Sequence, residues 1–373
     1  MQSRSTPSRQ IWSVTAVLAA FLLVAGCTST EPTHRPTGPA VTTSGTGLLL
    51  DGKPWWPTGF DAYQLGTDWS VNAGCGAAVD LDAYFGALPP HSLTRFDAFA
   101  TFAVDKRTGL LSFGPLDAVF AAAARHRQMV LPVLAAGDGA CENTGFRQRD
   151  WYADGWRDRP AAANLTFADW ITTAVTRWRD RGVVAGWELV GEPEPAICGD
   201  TGCTAENRRC PGDAAEGLRT FYDRAGAVVR ELDPHRLIFS GLTGGGQCGT
   251  QGEEYRAVAA ATNVDVLDYH DYSGGTAALP GDVWNGLGRR ITQARGVGKP
   301  LMVAEIGSNA GSCRTTAERA DDTRTKVRGQ RRAGTAGALL WAFVPDARPN
   351  ACSFDVGFGD PLWTVIADSG GPS

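Results

Sequence analysis

A (β/α)8 barrel is the fold this sequence predicts, and three observations predict it. Eight short apolar runs recur along the chain, at 56–60, 92–96, 129–135, 183–189, 237–240, 264–269, 301–304 and 338–343. They start about 27 to 54 residues apart, enough each time for a crossover helix and a loop. Between them, 115–127, 167–181, 214–232 and 323–333 carry helical periodicity. Third, polar and charged residues gather where the runs end, the rim at which such barrels keep their chemistry. An open doubly wound sheet is the alternative. It carries a glycine-rich phosphate turn after its first strand, and Gly59-Phe60-Asp61 is not one. The glycine run Gly244 to Gly246 follows the fifth strand without a Lys-Ser/Thr pair and reads as a loop.

The chain has 373 residues, 43% hydrophobic and 20% charged, ample for a large core. A net charge of -5 argues against a nucleic-acid partner, which needs a basic stripe. Twelve Trp is heavy usage. Most tryptophans are core, but in an exported protein exposed ones also stack on sugar rings.

The N-terminus reads as a targeting segment. Arg4 and Arg9 form a basic stretch before an apolar run at 11–25 that is too short to span a bilayer comfortably. It closes in Val24-Ala25-Gly26-Cys27, which resembles the lipobox of bacterial lipoproteins. The resemblance implies cleavage before Cys27, a lipid on its thiol and anchorage to a membrane outside the cytoplasm. An ordinary signal peptide for secretion is the alternative. The expected organisation is a signal peptide at 1–26, a flexible Thr/Pro/Ser-rich tether at 27–46, and one catalytic domain at 47–373, acting as a monomer.

Cysteine counting agrees with export. Nine Cys less Cys27 leaves eight, an even number that suggests four disulfides among 105 possible connectivities. Cys198, Cys203 and Cys210 have the density of a zinc knuckle, but no His lies near them. No metal and no cofactor are expected.

The stretch Val183 to Pro193, V-V-A-G-W-E-L-V-G-E-P, organises the rest. Its apolar run stops at Gly191-Glu192-Pro193, where the proline cannot continue a ladder, so Glu192 arrives at the strand's carboxyl end. The other strand ends add Arg95, His270-Asp271-Tyr272, Glu305 and Trp341. Two carboxylates at one rim suit glycoside hydrolysis, which needs one carboxyl protonated for the leaving oxygen and one ionised against the anomeric carbon. On this reading Arg95 and the Tyr272 hydroxyl hold Glu305 ionised, while a dry setting by Trp187 raises Glu192. Each side chain also has a structural reading: Arg95 in an ion pair with Asp97 or Asp61, His270 as a core imidazole, Tyr272 and Trp341 as packing. Glu188, deeper on the strand of Glu192, reads as a buried partner of a base; Asp268 and Asp271 read as structural.

W-E-L-V-G-E-P at 187–193, H-D-Y at 270–272, P-L-M-V-A-E-I-G at 300–307 and L-L-W at 339–341 resemble the signature strands of clan A glycoside hydrolases. The likeness is to family 5, especially its endo-β-1,4-mannanase branch, to whose opening L-D-G-K-P-W-W-P-T-G-F-D-A-Y at 50–63 is similar; D-P-H-R-L-I at 233–238 is similar to its entry into the fifth strand. The resemblance covers about residues 46–345. It implies Glu192 as general acid/base and Glu305 as nucleophile, with Arg95 and Tyr272 serving Glu305. It further implies that His270 binds substrate or orients the acid, that Trp341 floors the sugar site, and that the mechanism is retaining, on a β-linked poly- or oligosaccharide of mannan type. The family almost always places Asn immediately before the acid/base, bonded to the sugar's 2-hydroxyl; here that residue is Gly191, and Asp61 stands where Asn is common. A different sugar at that site, a slow enzyme, and a barrel kept for carbohydrate binding all fit Gly191. A transglycosylase remodelling the envelope would use the same residues. The insertion at 137–163 is expected to wall one end of the cleft.

Overall fold

The computed structural model describes residues 38–67, 74–200 and 202–370, besides residue 2. The chain divides into two units, Met1–His34 and Arg35–Ser373, and the second contains the whole barrel. The expected signal peptide, Cys27 and most of the tether lie outside the described residues. The expected end of the tether at 46 does not hold as a boundary. Val41–Ser44 pairs antiparallel with Gly47–Leu50, which pairs with Lys53–Trp55, so the boundary at 46 falls inside a three-stranded ribbon.

The eight apolar runs become eight parallel strands: β1 Thr58–Asp61, β2 Leu93–Asp97, β3 Met129–Val133, β4 Gly186–Glu188, β5 Leu237–Phe239, β6 Leu267–Asp271, β7 Leu301–Gly307 and β8 Ala338–Trp341. Their order around the sheet is 5-4-3-2-1-8-7-6. A parallel bridge between Phe239 and Val266 joins β5 to β6 and closes the barrel. The open-sheet alternative is thereby excluded.

Helices follow the strands: α1 Leu81–Ala87, α2 Gly114–Arg125, α3 Phe167–Trp178, α4 Ala214–Leu232, α5 Glu254–Ala259, α6 Leu287–Val297, α7 Thr316–Ala333 and α8 Leu362–Ser369. Reciprocal capping boxes start α3 (Thr166 with Asp169) and α7 (Thr315 with Glu318). Helix α7 begins seven residues before the periodic stretch at 323–333. Its inward face carries Arg319 and Lys326, both buried, beside Ala320 and Val327. Arg319 donates to the Asp355 carbonyl and to Asp360, and Lys326 donates to Asp271 at 3.0 Å.

The barrel interior changes character along its axis. Leu93, Leu131, Phe239, Met302 and Leu339 form its lower layers with Val41, Leu48 and Leu50 of the ribbon. Two residues on, where side chains face the same way, β2 places Arg95 and then Asp97 toward the carboxyl ends. The apolar layers hold the barrel together and the charged layer above them is the site.

All eight remaining cysteines pair: Cys75–Cys141, Cys198–Cys203, Cys210–Cys248 and Cys313–Cys352. The three cysteines weighed as a zinc knuckle are therefore all consumed in disulfides. Among the described residues no helix is long and apolar enough to cross a membrane.

Candidate active site

Strand register assembles the site. Asp61 lies beside Arg95 across β1 and β2, Trp341 beside Asp61 across β8 and β1, and His270 beside Glu305 across β6 and β7. The centre is Arg95. Its Nε and Nη2 donate to both oxygens of Glu188 (2.8 and 2.6 Å), and its Nη1 donates to Asp61 (2.8 Å) and to Glu305 (2.7 Å). Arg95 is thus paired with Asp61, as one structural reading had it, and with Glu305 as well. Glu188 is the buried partner of a base that its depth on β4 suggests. Burial alone would lower the Arg95 pKa, but Glu188 and Asp61 hold it well above the ordinary arginine value.

Glu305 is buried, its side chain 5% exposed. Arg95 donates to its Oε1; its Oε2 accepts a hydrogen bond from the Tyr272 hydroxyl and lies 3.3 Å from His270 Nδ1. Burial and the Glu305 charge raise the Tyr272 phenol, which therefore stays a donor. Burial pushes the Glu305 carboxyl above the usual glutamate range, against the pull of His270 and Arg95.

Glu192 has a different setting. Its side chain is 49% exposed, and its partner is His270 Nδ1 at 2.7 Å. Its backbone is left-handed, φ +54°, a conformation that costs a non-glycine residue about 1 kcal/mol or more. The hydrogen bonds that impose it run to neighbouring strand ends: Glu192 N–H to the Gly241 carbonyl (2.9 Å), Gly191 N–H to the Ala135 carbonyl (2.8 Å) and Gly137 N–H to the Gly191 carbonyl (2.7 Å). Gly137 is required there, because a Cβ would sit 2.2 Å from the Glu192 carbonyl oxygen.

Trp187 does not raise Glu192. It is fully buried and donates from Nε1 to Asp233, 3.0 Å away. Burial works to raise the Glu192 carboxyl, but the hydrogen bond and charge of His270 outweigh it, and the net direction is down. The proton sits on His270 instead. Burial would lower that imidazole, yet Glu305 and Glu192 push it up to about 9. One oxygen of each carboxylate and a ring nitrogen of His270 lie within 4.8 Å of one another. That trio could surround one divalent ion. However, the His270 nitrogen is already hydrogen-bonded to Glu192 and lies 3.3 Å from Glu305, and the Arg95 guanidinium beside Glu305 would repel a cation.

Above this cluster is a cleft of about 540 Å³ whose lining includes Tyr63, Asp97, Gly191, Glu192, Tyr272 and Trp341. Tyr63 stacks on Trp341 with centroids 5.3 Å apart and planes 9° from parallel. Asp138, Ala140 and Cys141, from the insertion at 137–163, line one wall, and Cys75–Cys141 ties that wall to the segment after β1. Gly191 packs against the centre of the network. A Cβ there would lie 3.0 Å from Arg95 Nη2 and 3.3 Å from Val133 Cγ1. Asp271 points away from the cleft, held by Lys326 (3.0 Å) and Gln330 (2.8 Å), and so fixes the strand end that carries His270 and Tyr272.

The structure thus brings together the six barrel residues singled out from the sequence: Arg95, Glu192, His270, Tyr272, Glu305 and Trp341. Sequence reasoning missed Tyr63 and Asp97 as cleft residues. Strand parity could have found Asp97, which is two residues beyond Arg95; Tyr63, just past the end of β1, had no comparable signal.

No family model matches the chain. In sequence it is 25% identical over 293 residues to the probable mannan endo-1,4-beta-mannosidase C of Aspergillus terreus, covering 68% of this chain and 68% of that protein. It is 24% identical over 397 residues to mannan endo-1,4-beta-mannosidase 7 of Arabidopsis thaliana, covering 91% and 85%. In structure it superposes on the endo-1,4-beta-mannanase of Rhizomucor miehei with a TM-score of 0.64 and 18% identity, over 88% of this chain and 98% of that one. A glycoside hydrolase family 5 mannosidase from the same organism gives a TM-score of 0.60 at 14% identity, over 89% and 96%. In sequence the chain is thus similar to mannan endo-1,4-beta-mannosidases, and its (β/α)8 barrel is the fold of these mannanase and mannosidase structures.

Proposed function

We propose that the protein hydrolyses a β-linked glycan with retention of configuration, a β-1,4-mannan being the first candidate substrate. The observation that supports the mechanism is that one oxygen of Glu192 and one of Glu305 lie within 4.8 Å of each other, close enough for a retaining pair. A retaining pair stands about 5–5.5 Å apart, whereas inversion needs about 6.5–9.5 Å to admit a water. Glu305, fixed by Arg95 and Tyr272, attacks the anomeric carbon. Glu192 gives a proton to the departing glycosidic oxygen, and the bond from carbon to that oxygen breaks. A water that replaces the leaving sugar then returns its proton to Glu192, and its oxygen displaces Glu305.

Glu192 is ionised in the open cleft, so its proton must come from somewhere, and His270 is the reservoir. A sugar covering the half-exposed Glu192 removes water from it and raises its pKa. Transfer along the 2.7 Å Nδ1–Oε1 contact then makes Glu192 the acid. His270 on this reading sets the protonation of Glu192, a more specific part than simple orientation.

The relatives' names favour mannan, and the four disulfides favour an oxidising compartment. Anchorage through a lipid on Cys27, with the barrel acting as a monomer on a glycan outside the cell, is part of this proposal. Gly191 supports a second reading, a carbohydrate-binding lipoprotein with little or no turnover. Reducing-sugar release from β-mannans, β-glucans and xylans, by residues 38–373 beside Glu305→Gln, separates the two. Release from one polymer that vanishes in the variant supports hydrolysis. Retained binding without release supports the second reading.

A further inference from the structure

The carboxyl group of Asp97 has no part in the double displacement, yet it stands in the same cleft. It lies two residues beyond Arg95 on β2, on the same inward side, and lines the cavity with Tyr63 and Trp341. The other acids of the cluster are partnered: Asp61, Glu188 and Glu305 by Arg95, and Glu192 by His270. Among the described residues nothing within hydrogen-bonding distance donates to the Asp97 side chain. The four hydrogen bonds that Arg95 makes all go elsewhere, and the cleft residues nearest in sequence and across to β3, namely Phe99, Val133 and Ala135, have side chains with no donor to offer. A half-buried carboxyl without partners is costly, and a ligand that supplies donors recovers that cost.

We infer that Asp97 is a substrate-binding, specificity-determining residue that accepts hydrogen bonds from adjacent hydroxyls of the sugar on the nucleophile side of the scissile bond. This rests on the hydrolase reading. The arc β7–β8–β1–β2 carries Glu305, Trp341, Tyr63 and Asp97 in turn around the rim, so the sugar that Glu305 attacks is the one the two rings and Asp97 border. A carboxylate offers two oxygens and suits a pair of neighbouring hydroxyls. With Asp61, Glu188, Glu192 and Glu305 also nearby, the cleft selects neutral sugars and disfavours uronic acids.

The test is a cycle between protein and substrate. Wild type, Asp97→Ala and Asp97→Asn are assayed on a β-1,4-manno-oligosaccharide and on its monodeoxy analogues, with thermal unfolding as the check on folding. Asp97→Ala is expected to lower kcat/KM about 10- to 100-fold, the scale of a hydrogen bond to a charged group. One deoxy analogue costs wild type a similar factor and costs Asp97→Ala almost nothing further, which a merely structural role would not produce. The inference is overturned if every deoxy analogue costs both proteins equally, or if Asp97→Ala stays within twofold of wild type. If wild type cleaves nothing, the hydrolase reading fails by itself. The same cycle run on dissociation constants then decides Asp97, and absence of binding as well overturns both.

Discussion

The two carboxylates of the cleft are built in opposite ways. Glu305 sits inside β7, buried, with donors from Arg95 and Tyr272 and His270 nearby. Glu192 lies beyond the end of β4, half exposed, on a left-handed backbone, with one side-chain partner. The difference matches what a double displacement asks of each. A nucleophile must be in one place each time a sugar arrives, and redundant hydrogen bonds ensure that. An acid/base must gain and lose a proton within each turnover, and so it needs access to solvent and a partner that can exchange the proton.

The largest expected effects break this asymmetry outright. Glu305→Ala is predicted to lose at least about 10⁴-fold in kcat, the scale of losing a nucleophile. Glu192→Ala is predicted to lose about 10²–10⁴-fold on glycan and far less on an aryl glycoside with a good leaving group. Azide distinguishes them further. It should restore turnover in Glu192→Ala with a β-glycosyl azide as product, and give an α-glycosyl azide with Glu305→Ala. The same anomer from both would contradict the assignment.

Next in size is the network beneath Glu305. Arg95→Met leaves the Glu188, Asp61 and Glu305 carboxyls buried without their cation, and a loss of about 3–5 kcal/mol in unfolding free energy is expected. Urea denaturation measures it, and a loss below about 1 kcal/mol would show that the acids do not depend on Arg95.

His270 sharpens the comparison through pH. Its folded pKa of about 9 lies above the ordinary value of about 6.5. Its contribution is therefore fully present below about pH 6.5 and is lost as pH rises through about 9, on the order of 1–3 kcal/mol. Denaturation midpoints between pH 6 and 9.5 should fall for wild type and flatten for His270→Asn. Parallel curves would place the imidazolium elsewhere.

The smallest effect concerns backbone strain. At pH 9.5, where His270 has largely lost its proton, Glu192→Gly is predicted to stabilise the fold by about 0.5–1 kcal/mol while abolishing activity, because glycine adopts φ +54° without penalty. Destabilisation by the same substitution would mean the turn at Gly191–Pro193 is not strained.

How much of the molecule is legible in its sequence depends on the range of the forces involved. The strands are legible because a β-strand buried on both faces is written as an apolar run, and all eight appear close to their expected places. Helices α1 and α5 are not, being too short to display a period, and α6 and the start of α7 bury Arg290 and Arg319 where periodicity looks for Leu. The six rim residues are legible because strand ends are marked by polarity. Their electrostatics are not. Trp187 sits near Glu192 in sequence but turns into the core, while His270, 78 residues away, reverses the expected shift. Gly191 reads as a lost side chain in the sequence; in the fold its missing Cβ is where Arg95 Nη2 and Val133 come close.

The separation of Glu192 from Glu305 is the claim on which the mechanism stands, and proton NMR of the first product tests it most directly. Hydrolysis of a β-1,4-manno-oligosaccharide tracked from the first minutes should yield the β-anomer first, with the α-anomer growing only at the rate of mutarotation. An α-anomer at the outset would mean inversion and would contradict the assignment of Glu305 as nucleophile.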